Sequence, residues 1–108
     1  GHIQSLAGTT FIQSANKCTS PTLRSAVTQR KYWLRKYNLA SNVWSYWASL
    51  VGAGDAQYTA KANSAAAKMV LAARKYNSYN RTVRSYARYG CGAAFSVSYA
   101  LDEGYPHL

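Results

Sequence analysis

Residues 55–76, DAQYTAKANSAAAKMVLAARKY, decide how the rest of the chain is read. The stretch contains neither Gly nor Pro and is dense in Ala, the strongest helix former. Asp55 follows Gly52-Ala53-Gly54, a setting that suits an N-cap carboxylate accepting backbone N–H bonds at the positive end of a helix. At about 100° per residue, Tyr58, Ala62, Ala65, Ala66, Met69, Ala73 and Tyr76 share one face. That face is mostly methyl groups, so a neighbouring element can approach its backbone closely. Lys61, Lys68 and Lys75 recur every seven residues along another side. The stretch predicts a central helix with a small-residue packing face and a basic flank.

Upstream, Ser20-Pro21 reads as an N-cap followed by Pro at the first helical position, opening a helix over residues 21–37. Leu23, Ala26, Val27, Trp33, Leu34 and Tyr37 fall on one face of it, and Arg24, Lys31 and Arg35 on another. Arg30 lies within the apolar stripe and must carry its guanidinium outward along its own stem. Residues 37–54 carry no charge. Ser41 or Asn42 can cap a second helix over 42–52, bearing Val43, Trp44, Tyr46, Trp47, Leu50 and Val51. A helix apolar nearly all round is buried, or is pressed against a membrane or partner. In the second case Trp44 and Trp47 form an interfacial anchor beside cationic residues. The tetrapeptide RKYN occurs at 35–38 and again at 74–77. Cations favour the negative end of a helix and Asn tolerates the left-handed conformation beyond it, so both copies read as helix stops.

The two chain ends read as strands. Thr9-Thr10-Phe11-Ile12-Gln13 is β-branched and aromatic, and Phe95, Val97, Tyr99 and Leu101 alternate with small or polar residues. Residues 81–89 fit either period: as a helix they align Arg81, Arg84 and Arg88, as a strand they pair with 93–101 around Gly90-Cys91-Gly92. Residues 77–80 read as a turn, which places the triplet Asn80-Arg81-Thr82, an N-glycosylation sequon, on an exposed loop. The fold expected is α+β: three helices (21–37, 42–52 and 55–76) packed on a small antiparallel sheet formed by the chain ends, in a single domain over 1–108. The alternative is an all-α bundle with 81–89 and 93–101 helical.

Composition narrows the chemistry. Thirteen Lys+Arg face three acids, Asp55, Asp102 and Glu103, for a formal charge of +10. Such an excess costs stability by self-repulsion and points to an anionic partner. Cys18 and Cys91 lie far apart, without the paired spacing of a zinc site. Both sit in turn-like contexts, which favours a disulfide and hence an oxidising compartment. The chain starts Gly1-His2-Ile3 without Met, as in a processed or trimmed product, and Gly-His reads as a cloning remnant. Neither a signal peptide nor a stretch of about 20 apolar residues is visible.

A catalytic reading has little to use. His107 stands next to the last residue; Asp102 and Glu103 are adjacent; Asp55 is committed as a cap. No nucleophile elbow, phosphate loop, dinucleotide fingerprint or zinc-protease motif is present. The expectation is a non-enzyme without cofactor or metal. Binding chemistry is better supplied by three basic stripes: Arg24, Lys31, Arg35; Lys61, Lys68, Lys75; and Arg81, Arg84, Arg88. Together with Trp44 and Trp47 they suit an anionic membrane or cell-wall surface. The function expected is that of a secreted, cationic, disulfide-bonded protein of the antimicrobial, toxin or effector kind. Tyr79, Tyr86 and Tyr89 interleave with the third stripe, and that pattern equally suits a module binding single-stranded nucleic acid. A third reading is an interaction subunit that buries residues 43–51 in an interface.

Overall fold

The computed structural model describes residues 17–91, 99–106 and 108. Two helices of 30 residues each dominate it: α1, Pro21–Leu50, and α2, Ala56–Ser85. At 1.5 Å per residue each is about 45 Å long. A single 3₁₀ turn, Val51–Ala53, reverses the chain between them. Gly54 ends that turn at φ 87°, in the left-handed region where Gly is favoured, and its N–H donates to Val51 O at 3.1 Å. Asp55 then caps α2 as expected, its Oδ1 accepting from Gln57 N at 2.8 Å. The helices lie antiparallel along their length. Leu23 near the start of α1 packs with Val83 near the end of α2, and Trp47 near the end of α1 stacks on Tyr58 near the start of α2.

The seam between them is lined by the residues of the alanine face. Ala62, Ala65, Ala66, Ala73 and Tyr76 are buried, as is Ala72, and Ala40 of α1 is buried opposite them. Among the described residues, seven of the ten buried apolar ones are alanine. Each contributes about one methyl group, near 0.8 kcal/mol, where a leucine or phenylalanine contributes roughly 1.5–3. Such a seam permits close backbone approach but is thermodynamically thin, so the covalent tie at its open end carries weight. Past α2, a 3₁₀ turn at Ala87–Tyr89 and Gly90 (φ 67°) swing Cys91 back to the start of α1. There Cys18 and Cys91 form the expected disulfide, with Cα atoms 5.3 Å apart and a sequence separation of 73. Leu23, Ala26 and Val83 make a larger apolar cluster beside it, flanked by Val27, Tyr79 and Tyr86.

The α+β expectation is overturned. No strand occurs among the described residues, and the all-α alternative stands. Residues 81–85 continue α2, 87–89 are 3₁₀, and Tyr99–Leu101 belongs to no helix or strand. The expected strand at 9–13 and the 93–98 part of the other lie outside the described residues. Helices 21–37 and 42–52 are one helix as far as Leu50, with Val51 and Gly52 in the 3₁₀ turn: residues 38–41, Asn-Leu-Ala-Ser, hold no breaker, and burial of Ala40 outweighs a few tenths of a kcal/mol of unfavourable propensity. Neither Ser41 nor Asn42 caps anything, and Ser20, though at the N-cap position, makes no side-chain cap bond. Its hydroxyl lies 3.4 Å from the Tyr86 hydroxyl instead.

Both RKYN copies are helix interior rather than helix ends, and residues 77–80 are helix rather than turn. For the second copy and residues 77–80 the asparagines explain why. Asn77 and Asn80 are buried and use their amides for tertiary bonds. Asn77 Nδ2 donates to Leu101 O, and its Oδ1 accepts from Leu101 N, both at 2.8 Å. Asn80 Oδ1 accepts from Arg30 Nη1 at 2.9 Å, which gives the arginine within the apolar stripe an internal partner. The sequon asparagine is therefore 1% exposed and inside a helix, not on an exposed loop, and its amide is closed to glycosylation in the folded chain.

Reducing the disulfide should lower the unfolding free energy by about 4 kcal/mol, the loop-closure entropy of a loop this long. Urea denaturation followed by circular dichroism, with and without reductant, measures the difference. A shift below about 1 kcal/mol would mean that the seam holds the open end without the covalent tie.

Candidate functional site, a lysine-rimmed apolar groove

One flank of the seam forms a groove with a cavity volume of about 540 Å³. From α1 it is lined by Tyr32, Trp33, Lys36, Leu39, Ala40, Val43 and Trp47, and from α2 by Lys61, Ser64, Ala65, Lys68, Leu71 and Ala72. The positions follow from helical spacing. Residues 32, 36, 39 and 43 fall on one side of a continuous α1, and 61, 64, 68 and 71 on one side of α2. Alanine occupies the floor, so the large side chains stand along the walls. Leu39 is 61% exposed and Leu71 51%, and Tyr32, Val43 and Tyr46 are exposed too. Single exposed apolar residues are ordinary, but a contiguous set around a depression marks a contact surface.

The groove's ionisable groups are all cationic apart from the Tyr32 phenol. Lys36, Lys61 and Lys68 line it, and none of the three carboxylates does. Lys61 Nζ sits 4.3 Å from the Trp47 ring centroid, and Trp47 in turn stacks on Tyr58 at 5.8 Å and meets the edge of Tyr46 at 4.9 Å. The cation–π contact, worth roughly 0.5–1 kcal/mol at an exposed site, holds the ammonium at the wall near the turn. Lys36 Nζ likewise lies 5.5 Å from the Tyr32 centroid. Two of the three lysines are thus held by aromatic walls, with their aliphatic stems along apolar surface.

The other flank of α2 carries the C-terminal segment. Leu101 is clasped by Asn77, Glu103 lies 3.9 Å from Arg74, and the Tyr105 hydroxyl donates to Asn63 O at 3.0 Å. The segment therefore runs back along α2. The Arg74–Glu103 pair is exposed on both sides, and such pairs add little. The buried amide clasp is the firm attachment. A further turn closes on Asp102, whose Oδ1 accepts from Gly104 N at 2.8 Å.

The expected binding residues do not form one surface. Lys61 and Lys68 line the groove; Lys75, one heptad on, continues their stripe beyond it. Arg24, Lys31 and Arg35 are exposed on a different side of α1. Arg81 and Arg84 lie in the last turns of α2, and Arg88, in the following 3₁₀ turn, hydrogen-bonds the Tyr89 hydroxyl at 2.8 Å. Tyr79 and Tyr86 pack on the Leu23–Ala26–Val83 cluster, and Lys17 and Arg88 lie against the Tyr89 ring. Trp47 lines the groove, but Trp44 does not share an anchor with it. Trp44 is half-buried, and its indole N–H is buried with no acceptor among the described residues. Tyr32, Trp33, Lys36 and Leu39 are not expected site residues because a helix break at 38–41 hides the register that aligns them on α1, and Leu71 is not because it falls off the small-residue face of α2.

No protein-family model, curated protein or solved structure matches this chain. Its site must be read from its own chemistry. Among the described residues no group of three or more His, Cys, Asp or Glu could hold a metal, and no helix is long and apolar enough to cross a membrane. His107 lies outside the described residues.

The Asn77→Ala variant should free the C-terminal segment while leaving both helices intact. Amide hydrogen exchange at Leu101 should speed by at least tenfold, corresponding to loss of a buried hydrogen-bonded clasp worth about 1.5 kcal/mol or more. Unchanged protection at Leu101 would show that the segment is held elsewhere.

Proposed function

We propose that the protein is a secreted cationic binder of anionic lipid surfaces, acting on a cell envelope in the manner of an antimicrobial protein, toxin or effector. The observation that carries this reading is the groove: exposed leucine, valine and aromatic side chains bordered by Lys36, Lys61 and Lys68, with no carboxylate among them. Cations meet lipid headgroups while apolar and aromatic side chains reach the acyl boundary. The Cys18–Cys91 disulfide supports a location outside the reducing cytosol. A net charge of +10 favours rapid, salt-sensitive encounter with any polyanion. A lipid surface is favoured over single-stranded nucleic acid because the tyrosines among Arg81, Arg84 and Arg88 are engaged in packing or cation contacts, not open for base stacking.

Co-sedimentation with phosphatidylglycerol vesicles, with phosphatidylcholine vesicles as control, tests the proposal. Binding should be confined to the anionic vesicles and weaken with salt. At about 1 kcal/mol per lysine near the surface, replacing Lys36, Lys61 and Lys68 together by Ser should weaken binding on the order of 100-fold. Replacing Arg24, Lys31 and Arg35 by Ser removes the same charge from another side and should weaken it far less. Equal losses would assign binding to net charge alone, and no binding to either vesicle would end the membrane reading.

A further inference from the structure

We infer that the groove seats one acyl chain of a single anionic phospholipid, with the lipid's phosphate beside one of the lysines that border it, Lys36, Lys61 or Lys68. The inference rests on the surface-binding reading above and assigns that surface's recognition element.

Size argues for a chain rather than a protein segment. A cavity of about 540 Å³ lies within the usual range of small-ligand sites. A partner helix, at about 10 Å across, exceeds that volume in little more than one turn. Shape agrees: the lining runs lengthwise along two antiparallel helices, with Leu39 and Val43 on one wall and Leu71 on the other. Those side chains would contact methylene groups, and the alanine floor leaves room for them.

Charge argues for an anionic head and against a second copy. The groove lysines have no opposing carboxylate in the lining, so a copy docking groove to groove would bring three more ammonium groups into the same space. Each copy also carries +10 overall. A phosphate does the reverse. Lys61, held 4.3 Å over the Trp47 ring, sits near the turn end of the groove, and Lys36 and Lys68 stand on opposite walls farther along. A head near any of them leaves its chain lying against the leucines.

Monomeric lysophosphatidylglycerol, used below its micelle concentration, isolates this event from surface adhesion. Calorimetric titration of the full chain should give saturable binding at one lipid per protein, and fluorescence from Trp33 and Trp47 in the groove should change with it. Lysophosphatidylcholine, with the same chain and no net charge, should bind at least tenfold more weakly. The Leu71→Glu variant, altered at an exposed position and checked for native helicity by circular dichroism, should lose at least tenfold. Absence of saturable binding, equal affinity for both headgroups, or unchanged affinity in L71E each overturns the inference. So does a stable dimer by light scattering whose formation blocks the titration. Vesicle binding without capture of the monomeric lipid also overturns it and leaves surface adhesion standing. Capture of the monomer without vesicle binding supports the groove site and counts against the surface reading alone.

Discussion

Close approach of two long helices along a row of alanines is the constraint from which the other features follow. Methyl groups on α2 let the α1 backbone come near, and along the alanine row that spacing leaves little room for large side chains. Bulky residues are displaced to the flanks. On one flank they stand as the walls of a groove; on the other, α2 receives the returning C-terminal segment. The site is thus a by-product of how the core is packed, not an addition to it.

The same choice explains where the remaining interactions concentrate. An alanine seam contributes little per residue, so both ends need fastening. At the turn, Tyr46, Trp47 and Tyr58 interlock, with Lys61 over the indole ring. At the open end, the disulfide joins residues 73 apart and the Leu23–Ala26–Val83 cluster gathers the larger apolar groups. Between them, the Arg30–Asn80 bond crosses from one helix to the other. The buried polar groups thereby fix the register that alanines alone specify weakly.

Much of this was legible in the residues. The alanine face, the Asp55 cap, the Cys18–Cys91 pairing and the Lys61–Lys68 stripe all follow from local chemistry. What failed shared one cause. Asn and Ser at 38–42 and 77–80 read as caps and turns from intrinsic preference, whereas burial of Ala40 and the tertiary bonds of Asn77 and Asn80 keep those segments helical. Asn77 and Asn80 look like helix stops in isolation and are internal connectors in the fold. With α1 broken at 38–41, the alignment of Tyr32, Lys36, Leu39 and Val43 was invisible, and so was the groove. The basic stripes read as three separate faces; the first two lie along the helices, and the third is divided between the end of α2 and the 3₁₀ turn that holds Arg88, a division no local pattern reveals.

Methyl and aromatic NOEs in an isotope-labelled sample test the central claim most directly. A closed hairpin predicts contacts from Leu23 to Val83 and from the Trp47 ring to the Tyr58 ring, both within one molecule. Loss of either contact, or its appearance only between labelled and unlabelled chains in a mixed sample, would contradict a seam closed along its whole length.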